Sequence, residues 1–128
     1  MILRKLTLAI FFLIPAVVWA QFGKADMMKL ATERMDTIAK ALKLNPNQVS
    51  MIKPLLESKY TEIGEAKEKY QNSDKSSASK KEAADSLKSI DSKYDSQITS
   101  SLDPDQAKKY KDLNKSWKND MSLSMPKL

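Results

Sequence analysis

The residue types that do most chemistry near neutral pH are scarce in this chain. Its 128 residues include no His and no Cys. That removes the commonest general base, the strongest nucleophile and the usual zinc ligands in one step. Ser, Lys, Asp and Glu remain. Ser50-Met51-Ile52-Lys53 and Ser77-Ala78-Ser79-Lys80 both fit S-x-x-K, the opening of an active site in which a serine is acylated. The companion K-T-G and S-D-N elements are absent, and a chain this rich in Ser and Lys produces such spacings by chance. Asp91 and Asp95 stand one helical turn apart and resemble a carboxylate pair, but they read as solvated, mutually repelling charges. There is no glycine-rich phosphate loop, and no cluster of Asp and Glu stands out as a hard-oxygen metal site. The expectation is a protein with no catalytic centre, no cofactor and no metal.

The first twenty residues read as an export signal. Arg4 and Lys5 are followed by an apolar run from Leu6 to Val18, and Val18-Trp19-Ala20 closes it with small residues at the minus-three and minus-one positions. The run is too short to span a bilayer comfortably. Cleavage is expected after Ala20, which places the protein in the periplasm or outside the cell. No Cys follows the run to carry a lipid anchor. Without Arg4 and Lys5 the net charge of +6 falls to +4. In an exported chain, that mild basicity points to unfolded polypeptides, envelope surfaces or anionic lipid as partners, and not to nucleic acid.

What must position any binding residues is a set of helices in one domain, residues 21–128, ordered over about 25–122. Met28, Ala31, Met35, Ile38 and Leu42 are spaced three, four, three and four, which predicts a first helix over 25–42. Val49, Ile52, Leu56, Ile63, Ala66 and Tyr70 predict a second helix running to about residue 70. Lys59 interrupts its stripe, Pro54 should bend it and Gly64 should weaken it. Residues 71–79 read as a polar, Ser-rich loop or a frayed helix end. Ala83, Leu87, Ile90, Tyr94 and Ile98 predict a third helix over about 80–101. Ala107, Tyr110, Leu113, Trp117 and Met121 predict a fourth, followed by a loose tail. No strand pattern of useful length appears, so the fold class is all-α with four helices. Leu, Ile, Val and Phe number only 17 beyond residue 20. A core that thin predicts an elongated protein that needs a partner to cover its apolar stripe.

One phrase occurs twice, in KLNPNQVS from Lys43 and SLDPDQAK from Ser101. It reads as a helix start. Asn45 and Asp103 are N-caps, and Pro46 and Pro104 take the first helical position, where a missing N–H costs nothing. Gln48 and Gln106 stand at the capping-box position. Leu44 and Leu102 precede the caps as candidate hydrophobic staples, although the expected partners, Ser50 and Lys108, are poor ones. Local capping accounts for the phrase without any ligand.

The pair of phrases, 58 residues apart in a small exported helical chain, resembles the LTxxQ motif of the Spy/CpxP family of periplasmic proteins. The matching residues are Leu44, Asn45 and Gln48, then Leu102, Asp103 and Gln106. Thr is replaced by Asn and Asp, which keep the capping role. The resemblance covers about residues 25–122. It implies an all-α protein of long bowed helices forming a thin cradle, usually an antiparallel homodimer. It also implies an ATP-independent chaperone for unfolded or partly folded envelope proteins, or an envelope-stress regulator binding one dedicated partner. A cradle of that kind needs basic groups for capture and adaptable apolar groups for loose contact. Met27, Met51, Lys53, Lys59, Lys67 and Lys88 are the candidates here. Binding to a membrane surface ranks third, because the apolar faces of the Lys-bearing first and second helices are mostly Met, Ala and Ile without aromatic anchors.

Overall fold

Met27, Leu30, Ala31, Met35, Ile38 and Leu42 recur every three or four residues. The computed structural model, which describes residues 25–123, winds them into a helix over 25–42 (α1) and buries all six. The stripe begins on Met27 and not on the expected Met28, which is only half-buried. α1 stops at Lys43, which adopts φ 52°. The Leu44 N–H then bonds the Ala39 carbonyl at 3.1 Å. That is the Schellman closure, and it folds Leu44 back against the core.

The second helix, α2, spans Pro46–Gln71. It runs through Pro54 without interruption. The missing N–H of Pro54 frees the carbonyl of Ser50, and both residues are exposed, so water can serve it. Gly64 has a packing reason. A Cβ built there would lie 2.7 Å from Met27 Cγ, so the missing side chain is what lets α1 and α2 approach. The third helix, α3, spans Ser77–Thr99. It starts earlier than expected because Ser76 caps it, and Asp74 Oδ1 accepts from the Ser76 N–H at 2.9 Å and the Ser79 hydroxyl at 2.8 Å. The loop is therefore 72–76, not 71–79. Serines that look like a linker in sequence are used as caps. The fourth helix, α4, spans Pro104–Ser116, and a 3₁₀ turn over Lys118–Met121 replaces its expected last turn.

Side-chain partners fix the arrangement. Lys69 pairs with Glu82 at 3.2 Å and Glu62 with Lys93 at 3.3 Å, so α2 and α3 are antiparallel. The start of α4 lies beside the start of α2, and Gln71, at the end of α2, donates to the Leu123 carbonyl at 3.0 Å. The chain thus runs up, down, up and down, the topology of a four-helix bundle. One core joins Met27, Leu30, Ala31, Met35, Ile38 and Leu42 to Ile52, Leu56, Tyr60, Ile63, Leu87, Tyr94, Ile98 and Tyr110. The expected four helices and all-α class are both present. The expected signal segment and the cleavage point after Ala20 lie outside the described residues, as do residues 124–128 of the expected tail.

Contact between Gly64 and Met27 sets two effects against each other. An Ala at position 64 gains about 1 kcal/mol of helix propensity, while overpacking costs about 1–3 kcal/mol. Gly64→Ala should therefore lower the melting temperature. In a Met27→Ala background, where the obstructing Cγ is gone, the same change should raise it. Thermal melts of the four proteins in this cycle check the account, and an equal effect of Gly64→Ala in both backgrounds would contradict it.

Candidate functional site

Both copies of the repeated phrase form complete capping boxes. The Asn45 side chain accepts from the Gln48 N–H at 2.8 Å, and Gln48 Oε1 accepts from the Asn45 N–H at 3.1 Å. Asp103 and Gln106 repeat this at 2.8 and 3.1 Å. The staple positions four residues into each helix are Val49 and Ala107, not Ser50 and Lys108. Leu44, Val49 and Leu102 pack against the core.

Capping occupies only one side of each glutamine. The Gln48 amide also donates to Gln106 Oε1 at 2.7 Å, and the Gln106 amide donates back to Gln48 Oε1 at 3.3 Å. Each then reaches the other half of the chain. Gln48 Nε2 bonds the Ser101 carbonyl at 3.2 Å, and Gln106 Nε2 bonds the Leu42 carbonyl at 3.1 Å. The two phrases are therefore one junction, in which the starts of α2 and α4 and the chain leaving α1 and α3 are tied by two side chains. Sequence reasoning identified the caps and missed their pairing.

Two further polar networks cross the interior. Arg34 grips Asp120 with two bonds, of 3.0 and 2.8 Å, and its guanidinium lies 4.6 Å from the Trp117 ring centre. The buried Tyr60 hydroxyl donates to the same carboxylate at 2.7 Å. Burial first, and then the charge of Asp120, push the Tyr60 pKa far up, so the phenol stays a donor. In the other network Lys59, only 2% exposed, reaches Asp91 at 3.0 Å and Asn114 at 3.2 Å. The Asn114 amide donates to Asp91 at 3.1 Å, which closes a triangle joining α2, α3 and α4. Asp91 is thus half-buried and paired, not the solvated charge expected. Its neighbour Asp95 is also half-buried, and its Oδ1 is enclosed without a hydrogen bond, as is the hydroxyl of Tyr110. Burial and then the charge of Asp91 raise the Asp95 pKa.

The candidate binding residues divide. Met51, Lys53 and Lys88 are exposed. Met27, Lys59 and Lys67 are buried at 1, 2 and 1% exposure and offer nothing to a partner in this fold. Met27 fills the space above Gly64. Lys59 is an interior ion-pair donor, which is why it stands on an apolar stripe. Burial lowers the Lys67 pKa, and the charge of Asp120 opposes the shift. The signal for the interior networks was the charged residue on the apolar face. Arg34 and Asp120, 86 residues apart, gave none.

No family model, curated protein or solved structure matches the chain. Among the described residues no group of three or more Asp and Glu could hold a metal ion, and no helix is long and apolar enough to cross a membrane.

Two measurements test this geometry. In a double-mutant cycle of Gln48→Ala and Gln106→Ala, each single change should cost about 1 kcal/mol for the lost capping-box hydrogen bond. The pair should show a coupling of roughly 0.5–1.5 kcal/mol, as contacting side chains do. Strict additivity would mean that the two side chains do not pair with each other. For Asp95, a raised folded pKa means that the native state holds the proton more tightly than the unfolded chain does. Its contribution is present at low pH and is lost as pH rises through the folded value. Asp95→Asn should therefore be more stable than the parent at pH 7, with the gap narrowing toward pH 4. A gap independent of pH would rule this out.

Proposed function

We propose that the protein is an exported, non-enzymatic binding protein that engages polypeptide without nucleotide, in the manner the Spy/CpxP resemblance implies. The observation that carries this reading is the reciprocal pairing of Gln48 and Gln106. It joins the two phrases that carry the resemblance into a single tertiary device. The export signal read in the first twenty residues supports a periplasmic or extracellular site of action.

Two forms of this function differ in the surface they need. Holding many non-native chains calls for broad, adaptable apolar surface. Among the described residues Met51, at 56% exposure, is the one exposed large apolar side chain. The other large apolar groups among the described residues lie wholly or partly inside the bundle. This favours docking to one dedicated partner through a largely polar surface, with general holding as the rival.

Light scattering of a chemically unfolded client, without ATP and at low and high salt, separates the two. A dedicated binder should give little suppression at near-stoichiometric ratios under either condition, while affinity capture from envelope extract returns one major polypeptide. Strong suppression that weakens with salt would overturn this choice in favour of holding.

A further inference from the structure

Between α2 and α3 runs an open groove of about 800 Å³. Half-buried Ala66, Ser86 and Ile90 lie deep in it, and exposed Glu65, Asp85 and Ser89 stand along its lips. It continues past Ser86 and Ala83 toward Tyr70. Ala78 to Ile90 on α3 therefore border one trough, about three and a half helical turns long.

The ion pairs across this seam show what is missing from it. Lys69–Glu82 stands toward one end, and Glu62–Lys93 at the other. In the antiparallel register the side chains between them are Glu65 on α2 and Asp85 and Ser89 on α3. Neither Glu65 nor Asp85 has an ion pair or hydrogen bond among the described residues. Lys81, one turn before Asp85 and also at the lip, makes no ion pair with it. Lys88 does not line the groove and borders a separate depression on α3 with Asp85 and Ser89. The groove's lining thus holds four carboxylates, Glu62, Glu65, Glu82 and Asp85, against two lysines, Lys69 and Lys81, of which Lys69 is already paired with Glu82, in a chain whose net charge is +6. Such a surface favours positive partners and repels the many acidic ones. Small side chains in its depth leave room for close approach, and its length matches the i, i+3/i+4, i+7 contact line of a docked helix.

We propose that this groove docks a lysine- or arginine-bearing amphipathic helix of a partner polypeptide, with its cations between Glu65 and Asp85. The proposal rests on the reading that the protein binds polypeptide, and it assigns the partner's chemistry.

The test uses the purified protein and a fluorescent alanine-based helical peptide carrying lysines at i, i+4 and i+7, read by anisotropy at low salt. A matched glutamate peptide is the charge control. The lysine peptide should bind and the glutamate peptide should not. The double variant Glu65→Gln, Asp85→Asn should weaken binding about tenfold, as loss of two surface ion pairs allows. Ser89→Trp, which fills the groove from an exposed position, should abolish it. Glu33→Gln, Asp36→Asn on the exposed face of α1 should change nothing. All four positions changed for charge are exposed, so circular dichroism should show every variant folded. No binding, equal binding of both peptides, or equal affinity across the variants would overturn the proposal. If the lysine peptide fails while capture of a partner from envelope extract succeeds, the groove assignment is wrong and the polypeptide-binding reading stands. If capture and client suppression both fail, that reading falls with it.

Discussion

A primary amide accepts and donates at once, and this bundle depends on that property at two positions. Oε1 of Gln48 or Gln106 closes a capping box, and Nε2 of the same residue bonds the opposite half of the chain. Glutamate at either position would close the box equally well, because capping needs only an acceptor. It could not donate across the junction, and two carboxylates would face one another there. The choice of Gln over Glu in both phrases therefore follows from tertiary structure and not from helix capping.

From that junction the rest of the bundle can be laid out. The paired caps fix the starts of α2 and α4 side by side. The Lys59–Asp91–Asn114 triangle lies about three turns further along α2, and the Arg34–Asp120–Tyr60 cluster follows it. Few large apolar residues are available, so specificity has been given to polar groups placed at intervals down the interior. Buried ion pairs add little net stability over an apolar core, but losing one partner costs about 3–5 kcal/mol. A wrong register between helices would leave Lys59 or Asp120 buried and unpaired. The networks thus act chiefly against misalignment, and the thin core supplies the cohesion.

The helices themselves were legible because their stripes and caps are local. Ile52, Leu56 and Ile63 on one helix, and Ala83, Leu87, Tyr94 and Ile98 on another, announce their buried faces directly. Errors arose where a side chain's role is set by residues distant in sequence. In sequence Lys59 and Lys67 read as surface cations because lysine is rarely buried. The acceptors for Lys59 stand on other helices, and periodicity is blind to them. Met27 was displaced from the stripe because its partner is an absent side chain, at Gly64. The Ser-rich loop shrank because serine marks both linkers and caps. The pairing of Gln48 with Gln106 had a visible sign in the repeated phrase, yet local capping explained the phrase so fully that nothing in sequence demanded a second role.

The central claim is that the two caps are one cooperative unit. Native-state hydrogen exchange on the backbone amides of Asn45, Gln48, Asp103 and Gln106 tests it most directly. Each is held by a side chain at an exposed helix start, where amides ordinarily exchange by local fraying. The account predicts a common opening free energy for all four. It also predicts that Gln106→Ala accelerates exchange at Asn45 and Gln48, on a helix it does not belong to. Independent exchange at the two caps, with Asn45 and Gln48 unaffected by that substitution, would contradict it.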